Sequence, residues 1–316
     1  MSAKGLSSRA IIGHYFARLE QAPGFDWIEE ISMLVNSDQE SEEYKWLGMA
    51  PALREWVGGR HAKGFRENGI IIANKPFEAT LEVLVDELRR DKTGQVLIRV
   101  GEMADRTNAH WAKLLTTLLL NGASTVCYDG QFFFDTDHAE GDSGTQSNKI
   151  TVDISELPVT NHGSTTRPSV GEFRECILAG VQALYGFKDD QGEPMNETAA
   201  AFRVFVPSPL LQVAQSAVAL PMVDNGESNI IPAQKDFRIS VTATPRLNAW
   251  TDRFAIMRTD ASVKPLIRQE EVPIEMSAIA EGSELEFKHR KHEYGVYTSR
   301  NVGYGYWQHA AQVIMG

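Results

Sequence analysis

The period of the apolar positions changes along this chain, and those changes divide it into elements. Over residues 95–121, Val96, Val100, Met103, Trp111, Leu114, Leu115, Leu118 and Leu119 fall mostly on one helical stripe, and Gly122 stands where a C-cap would. That spacing predicts one helix about 40 Å long, enough to be the spine of a flat subunit. A second helix is predicted over residues 169–185. Ser169 and Glu172 have capping-box spacing there, and Phe173, Ile177, Leu178, Val181 and Leu184 form the apolar face. Residues 209–220 read as a helix of the type that packs on a sheet.

Residues 80–85 alternate (Leu81, Val83, Val85) and read as a strand, as do residues 149–154, 202–206, 239–241 and 254–257. Three extended stretches are predicted from residue 270 onward. The last two, residues 285–297 and 303–314, read as one long β-arm with bends at Gly303 and Gly305. Strands and helices mix without βαβ regularity or a solenoid repeat, so the fold class is α+β.

The first eighty residues have a different character. Residues 12–35 carry Tyr15, Phe16, Phe25, Trp27, Ile28 and Ile31 around a turn at Ala22-Pro23-Gly24, too little to bury itself, so they read as an arm needing another surface. Residues 37–43 are polar and acidic and must be solvated. Residues 55–79 are glycine-rich, with a turn signal at Asn68-Gly69 and a β-leaning Ile70-Ile71-Ile72, which predicts a long projecting hairpin. A projecting hairpin is an aggregation liability in a monomer and an arm in an assembly. The candidate contacts between subunits are therefore Phe16, Phe25, Trp27 and Trp46, then Trp56, Arg60, Phe65, Ile70 and Ile72. One such aromatic anchor, fully buried, is worth about 2–3 kcal/mol. Trp111, on the long helix, is expected to pack within its own subunit.

Composition narrows the function. The chain has 316 residues, a net charge of −11, no long basic tract and no phosphate-binding loop, which argues against tight nucleic-acid binding. The longest apolar run, residues 114–120, falls well short of the roughly 20 residues that cross a bilayer. No signal-peptide pattern opens the chain, and Cys127 and Cys176 have neither metal spacing nor a disulfide framework, so a reducing, cytoplasmic place of synthesis is expected.

The most enzyme-like cluster is Asp135, Asp137 and His138, whose carboxylates and imidazole could serve a metal-dependent hydrolase. Against it, HExxH is absent, no second histidine element stands at helical spacing, and aspartates beside turns commonly hydrogen-bond backbone. Gly58-Gly59 and Gly303-Tyr304-Gly305-Tyr306 lack the context of phosphate loops, and no G-x-S-x-G is present. Lys288 to His292 form a basic knot that reads as a solvated or ion-paired strand, and Cys176 reads as core. No catalytic, cofactor-binding or metal-binding residue is expected. The chain reads as a structural protein.

Specific segments carry a family resemblance. They are Ser41-Glu42-Glu43-Tyr44-Lys45-Trp46-Leu47-Gly48 with Pro51, Leu53-Arg54-Glu55-Trp56-Val57-Gly58-Gly59-Arg60, Asn74-Lys75-Pro76-Phe77-Glu78-Ala79-Thr80, Leu118-Leu119-Leu120-Asn121-Gly122, and Tyr128-Asp129-Gly130 through Phe133-Phe134 to His138. On these the sequence resembles the Mu-like phage major head subunit (gpT) family over essentially its whole length. It departs at Gly59, where the family often has Glu, and at Arg90-Asp91, where it usually has Asp-Asp.

The resemblance implies the Hong Kong 97-type capsid fold: an N-arm over residues 1–53, an E-loop over 54–79, a spine helix over 95–121, a peripheral domain over 80–164 and 261–316, and an axial domain over 165–260. It further implies hexamers and pentamers that tile an icosahedral shell around double-stranded DNA. Assembly would take place in the host cytoplasm with a scaffold, a portal, a maturation protease and decoration proteins. The net charge adds the expectation of an acidic inner wall to which packaged DNA does not adhere. The rival readings are an encapsulin-like nanocompartment, the Asp135/Asp137/His138 hydrolase, and a capsid decoration or tail protein.

Overall fold

The computed structural model describes residues 7–21, 25–47, 69–91, 94–223 and 226–316. The chain runs through α1 (Ser8–Gln21), α2 (Trp27–Ile31), β1 (Ser32–Asn36), β2 (Ser41–Tyr44), β3 (Ile70–Ala73), β4 (Lys75–Leu84), α3 (Val85–Arg90) and α4 (Gln95–Leu120). It continues through β5 (Lys149–Val152), α5 (Val170–Gly186), β6 (Ala201–Val206), α6 (Leu211–Ala219), β7 (Met222–Val223), β8 (Glu227–Ser228), β9 (Arg238–Ala243) and β10 (Arg253–Arg258). The tail is β11 (Leu266–Ile279), α7 (Glu284–His289), β12 (Lys291–Tyr304) and β13 (Ala310–Met315).

Two sheets share one helix. A four-stranded sheet has the order β1-β11-β12-β4, and a five-stranded sheet has the order β5-β13-β10-β6-β9. The N-terminal half of α4 buries Val96, Val100 and Ala104 in a small core with Ile11, Tyr15, Val83, Tyr294 and Val296. Its C-terminal half buries Ala112, Leu115 and Leu119 in the larger core, which also holds the inner residues of the five-stranded sheet and of α5. One apolar stripe therefore serves two cores, which is why α4 is so much longer than its neighbours.

Helix α5 starts on the expected capping box: the Ser169 side chain accepts from the Glu172 N–H at 3.1 Å, and the Glu172 carboxylate accepts from the Ser169 N–H at 2.7 Å. It lies close on the five-stranded sheet because Gly180 has no Cβ. One placed there would sit 2.8 Å from Ile256 Cγ2 and 3.1 Å from Val313 Cγ2.

The α+β class and the strands at 202–206, 239–241 and 254–257 are where the alternation placed them, and the strand expected over 149–154 stops at Val152, because the Asp153 carboxylate accepts from the Ser155 N–H and opens a 3-10 turn. Three other expectations need correction. The strand predicted from residue 80 starts at Lys75, and Val85 already opens α3. Residues 284–289 form a helix instead of continuing a β-arm, because the Ser283 hydroxyl caps it by accepting from the Glu286 N–H at 3.2 Å. The tail also does not stay together: β12 joins the four-stranded sheet and β13 the five-stranded one. Gly305 sits at that crossing, where the backbone of Lys264 and Pro265 leaves no room for a side chain. The chain also crosses between the sheets from β10 to β11, and His309 ties the two crossings together, its Nδ1 lying 3.0 Å from the Val263 carbonyl. Among the described residues, no helix is long and apolar enough to cross a membrane.

Candidate inter-subunit surfaces

The arm has its own surface to lie on. Tyr15 and Ile11 are fully buried, the Tyr15 hydroxyl donates to Thr107 Oγ1 at 3.0 Å, and Arg18 holds Asp105 through two bonds of 2.9 and 2.8 Å. Both charges of that ion pair are solvent-exposed, so its role is register more than stability. Phe16 is half-buried beside Tyr15, edge-on at 5.4 Å. Trp27 is buried edge-on against Phe205 of the five-stranded sheet at 5.3 Å, and Glu30 takes both Arg203 nitrogens at 2.7 and 2.9 Å. Trp27 is thus satisfied inside its own subunit, which corrects the expectation that it anchors a neighbour. Phe25, 40% exposed, is the arm aromatic left open.

The base of the hairpin is equally well seated. Strand β2 pairs antiparallel with β3, and the buried Gln269 ties it down: it accepts from the Tyr44 hydroxyl at 2.6 Å and donates to the Ile72 carbonyl at 3.0 Å. Ile72 is buried against Gly303 and so is withdrawn from the candidate contacts, while Ile70 is half-buried against the larger core. Between them Ile71 points the other way and is 65% exposed. Sequence reasoning missed it, although alternation within Ile70-Ile71-Ile72 already puts the middle residue on the opposite face. The side chain of Trp46, and all of Trp56, Arg60 and Phe65, lie outside the described residues.

Two further apolar groups face solvent. Leu220, Met222 and Ile230 cluster in sequence just beyond α6, and Phe287, 88% exposed on α7, stands at the closed end of the β11–β12 hairpin with Ile279. Neither was singled out from the sequence, since an isolated exposed apolar residue has no periodic signature.

Asp135, Asp137 and His138 do not converge. The Asp135 carboxylate accepts from the Phe132 and Thr136 N–H groups at 3.1 and 2.8 Å, and among the described residues Asp137 accepts only from the Gln131 amide, at 3.4 Å. His138 is fully buried, stacked on Trp307 at 4.0 Å, with Nδ1 2.6 Å from Asp129 Oδ2 and Nε2 3.3 Å from Asn148 Oδ1. The side chains that do come together are Cys127, Asp129 and His138, whose ligand atoms lie within 4.8 Å of one another. Each is already used: the Cys127 thiol donates to Asp129 Oδ1 at 3.0 Å, and the imidazole binds the other oxygen.

Burial opposes a charge on Asp129, yet the hydrogen bonds from His138 and Cys127 outweigh it and hold the carboxyl below its ordinary range. Burial, followed by the Asp129 charge, drives the Cys127 thiol far above the range of a nucleophile. The cluster is a strut joining the loop after α4 to the tail, with Asn148 donating to the Phe133 and Ala310 carbonyls at 2.7 and 3.2 Å.

The middle of α4 is clamped to the four-stranded sheet by arginines. Trp111 lies between two guanidinium groups, Arg300 at 4.5 Å and Arg268 at 5.7 Å from the ring centre, so it packs within its own subunit as expected. Burial pulls both arginines below their ordinary range. Arg300, 1% exposed, donates to His110 Nδ1 at 3.1 Å and has Glu270 at 3.8 Å. Burial, then the charges of Arg300, Lys113 and Arg246, push His110 down to about 4.

Against known proteins, the model of a family described as the Mu-like prophage major head subunit gpT matches residues 13–158 and 239–314. The major capsid protein of Escherichia phage Mu is 39% identical over 120 residues, covering 38% of this chain and 39% of that protein. The Mu-like prophage FluMu major head subunit of Haemophilus influenzae is 33% identical over 123 residues, covering 39% of this chain and 40% of that protein. The matches thus span about two-fifths of the length of these curated relatives.

Among solved structures, the procapsid of bacteriophage JBD30 superposes with a TM-score of 0.57 at 23% identity, covering 97% of this chain and 73% of that one. The JBD30 capsid gives 0.55 at 24% identity, over 72% of this chain and 92% of that one. A virus-like particle from Pyrococcus furiosus gives 0.52 at 9% identity, over 97% of this chain and 98% of that one. These likenesses place the fold as Hong Kong 97-type, and that fold alone does not separate a phage head from another protein shell.

Proposed function

This chain belongs to the Mu-like prophage major head subunit family, gpT, and we propose that it is the major capsid protein of a tailed Mu-like phage or prophage, a structural subunit and not an enzyme. The observation that carries this reading is the family match itself, which takes in the arm, α4 and most strands of both sheets. In this reading, subunits close as hexamers and pentamers into an icosahedral shell around double-stranded DNA. The four-stranded sheet with α4 is the peripheral domain and the five-stranded sheet the axial domain, so residues 149–152 and 310–315 count with the axial part. Shells assemble in the host cytoplasm with a scaffold, a portal, a maturation protease and decoration proteins, and end as the virion capsid.

The geometry supports a subunit of this kind. It is made rigid by one helix shared between two cores, while Phe25, Ile71, Met222 and Phe287 remain open as separate small contacts. Many modest contacts made together bind tightly while each stays reversible. Electron microscopy of the protein, produced with and without its scaffold, tests the reading. Closed shells or hexamer and pentamer rings are expected, and a discrete monomer or dimer under both conditions would overturn it.

A further inference from the structure

Alongside α4, on the side of the four-stranded sheet's edge strand β4, runs an open groove of about 660 Å³. Its wall carries Arg99, Arg106 and Lys113. These are seven residues apart, so each lies two turns and about 10 Å beyond the last on one face of the helix. All three are exposed, and none forms an ion pair with another described residue. Arg300 stands at the base, and the opposing charges are Glu78 and Glu102. Arg300 is held by Glu270 at 3.8 Å, so among the described residues three free cations face two carboxylates and leave the groove at +1 on a chain whose net charge is −11. The floor is β4, which among the described residues pairs only with β12 and leaves its other edge open beside the half-buried Phe77 and Leu81. An open strand edge next to a cationic wall is the chemistry that receives an extended acidic segment.

We propose that this groove takes up the acidic segment of residues 38–43 from a second copy of this chain, and so fixes the register between neighbouring subunits. The inference rests on the reading that the chain assembles with itself. The segment holds Asp38, Glu40, Glu42 and Glu43, four carboxylates in six residues; all but Glu42 are exposed, and Glu43 has the Lys45 ammonium at 3.1 Å. In its own subunit it is held away from the groove by Asn74, whose side chain donates to the Gln39 carbonyl at 2.7 Å and whose N–H donates to the Glu40 carbonyl at 2.8 Å. No carboxylate of the segment pairs with a groove cation among the described residues. Extended, the six residues span about 17–20 Å, against about 21 Å from Arg99 to Lys113 along the helix. Nucleic acid fits less well, since a strand edge offers backbone N–H and C=O groups in the ladder spacing of an extended peptide, which a phosphodiester backbone does not match.

A charge exchange tests the proposal. Arg106→Glu with Lys113→Glu is expected to leave the melting temperature of the unassembled subunit in place and to lower closed-shell counts in electron micrographs about tenfold or more. Adding Asp38→Lys, Glu40→Lys and Glu43→Lys to the same chain turns every segment from −4 to +2 against a groove that is now net negative, and shells are expected to return. Shells that survive the first pair, or that fail to return with the second, overturn the proposal. So do intact shells that merely hold less DNA, which would assign the groove to nucleic acid. Should the reversed groove prevent folding, Arg106→Gln with Lys113→Gln must lower shell counts partway, and more so as salt falls. If the wild-type chain forms no shells at all, the assembly reading fails by itself. A labelled peptide covering residues 36–45 then tests the groove alone. It must bind the full wild-type chain about tenfold more tightly than the Arg106→Glu, Lys113→Glu variant, and equal binding refutes the site.

Discussion

Two histidines held in neutral form, His309 buried and His110 half-buried, should make the unassembled subunit acid-labile well above the carboxylate range. His110 and His309 are each pushed from an ordinary 6.5 to about 4, in both cases chiefly by burial, with Arg300 next in line at His110 and Arg258 at His309. A base whose folded pKa is depressed gives the unfolded chain the stronger hold on protons as pH falls. Stability is therefore intact above about 6.5 and is lost progressively down to about 4. The full gap corresponds to about 3 kcal/mol per histidine, of which about 2 kcal/mol is gone by pH 5, or about 4 kcal/mol for the pair. The carboxylates held low, such as Asp129 and Asp260, act below this window, while burial raises Glu270 and so offsets part of the loss, since a raised carboxyl favours the folded state as pH falls. Urea denaturation of the unassembled subunit at pH 7, 6 and 5 measures the slope. Asparagine at both positions keeps a polar atom near Nδ1 for Arg300 and for the Val263 carbonyl, and is expected to flatten the slope even if it lowers the plateau. A double variant as steep as the wild type, or a wild type flat from pH 7 to 5, would refute the assignment.

Trp27→Ala, measured by melting of the unassembled subunit, should cost about 3–5 kcal/mol, because Trp27 is buried at home; an unchanged melt would return it to the list of inter-subunit anchors. Phe25→Ala should leave that melt within about 0.5 kcal/mol and show its effect only in shell yield. His138→Ala should cost about 3–5 kcal/mol by leaving the Asp129 charge buried without its imidazole, while dialysis against a chelator leaves the melting temperature unchanged. A fall on chelation would instead make Cys127, Asp129 and His138 a metal site. Ser169→Ala should cost about 1 kcal/mol in the same melt, through loss of the capping box at the start of α5.

Elements whose partners are local were legible in the sequence. Helix α4 was placed almost to the residue because its stripe is long and unambiguous, and α5 because Ser169 and Glu172 announce its start. Elements whose fate depends on distant partners were not. Alternation in residues 310–315 gives a strand but cannot say which of two sheets it joins; the close approach of Lys264 and Pro265 to Gly305 decides that. In the acidic and histidine cluster, the sequence drew attention to the neighbours Asp135 and Asp137, whereas the fold chose Cys127 and Asp129 across the turn. The local signal that could have found them is the Asx-type bond from the Gln131 N–H to Asp129 at 3.1 Å, which bends that turn toward His138.

The misjudged aromatics of the arm follow from the same physics. Hydrophobic burial carries no direction, so a tryptophan that needs an apolar surface is equally content with its own sheet or a neighbour's. Trp27 finds Phe205, and Tyr15 finds the small core, because α4 brings both surfaces within reach of the arm. What stays exposed is then dispersed: small apolar groups at separate points, and a charged groove beside an open strand edge. That distribution suits a subunit that must stay soluble before it assembles, since one contiguous apolar patch would bind any copy in any orientation. Charge complementarity adds little affinity per contact but excludes wrong registers, and a closed shell needs one register repeated at each interface of a given kind.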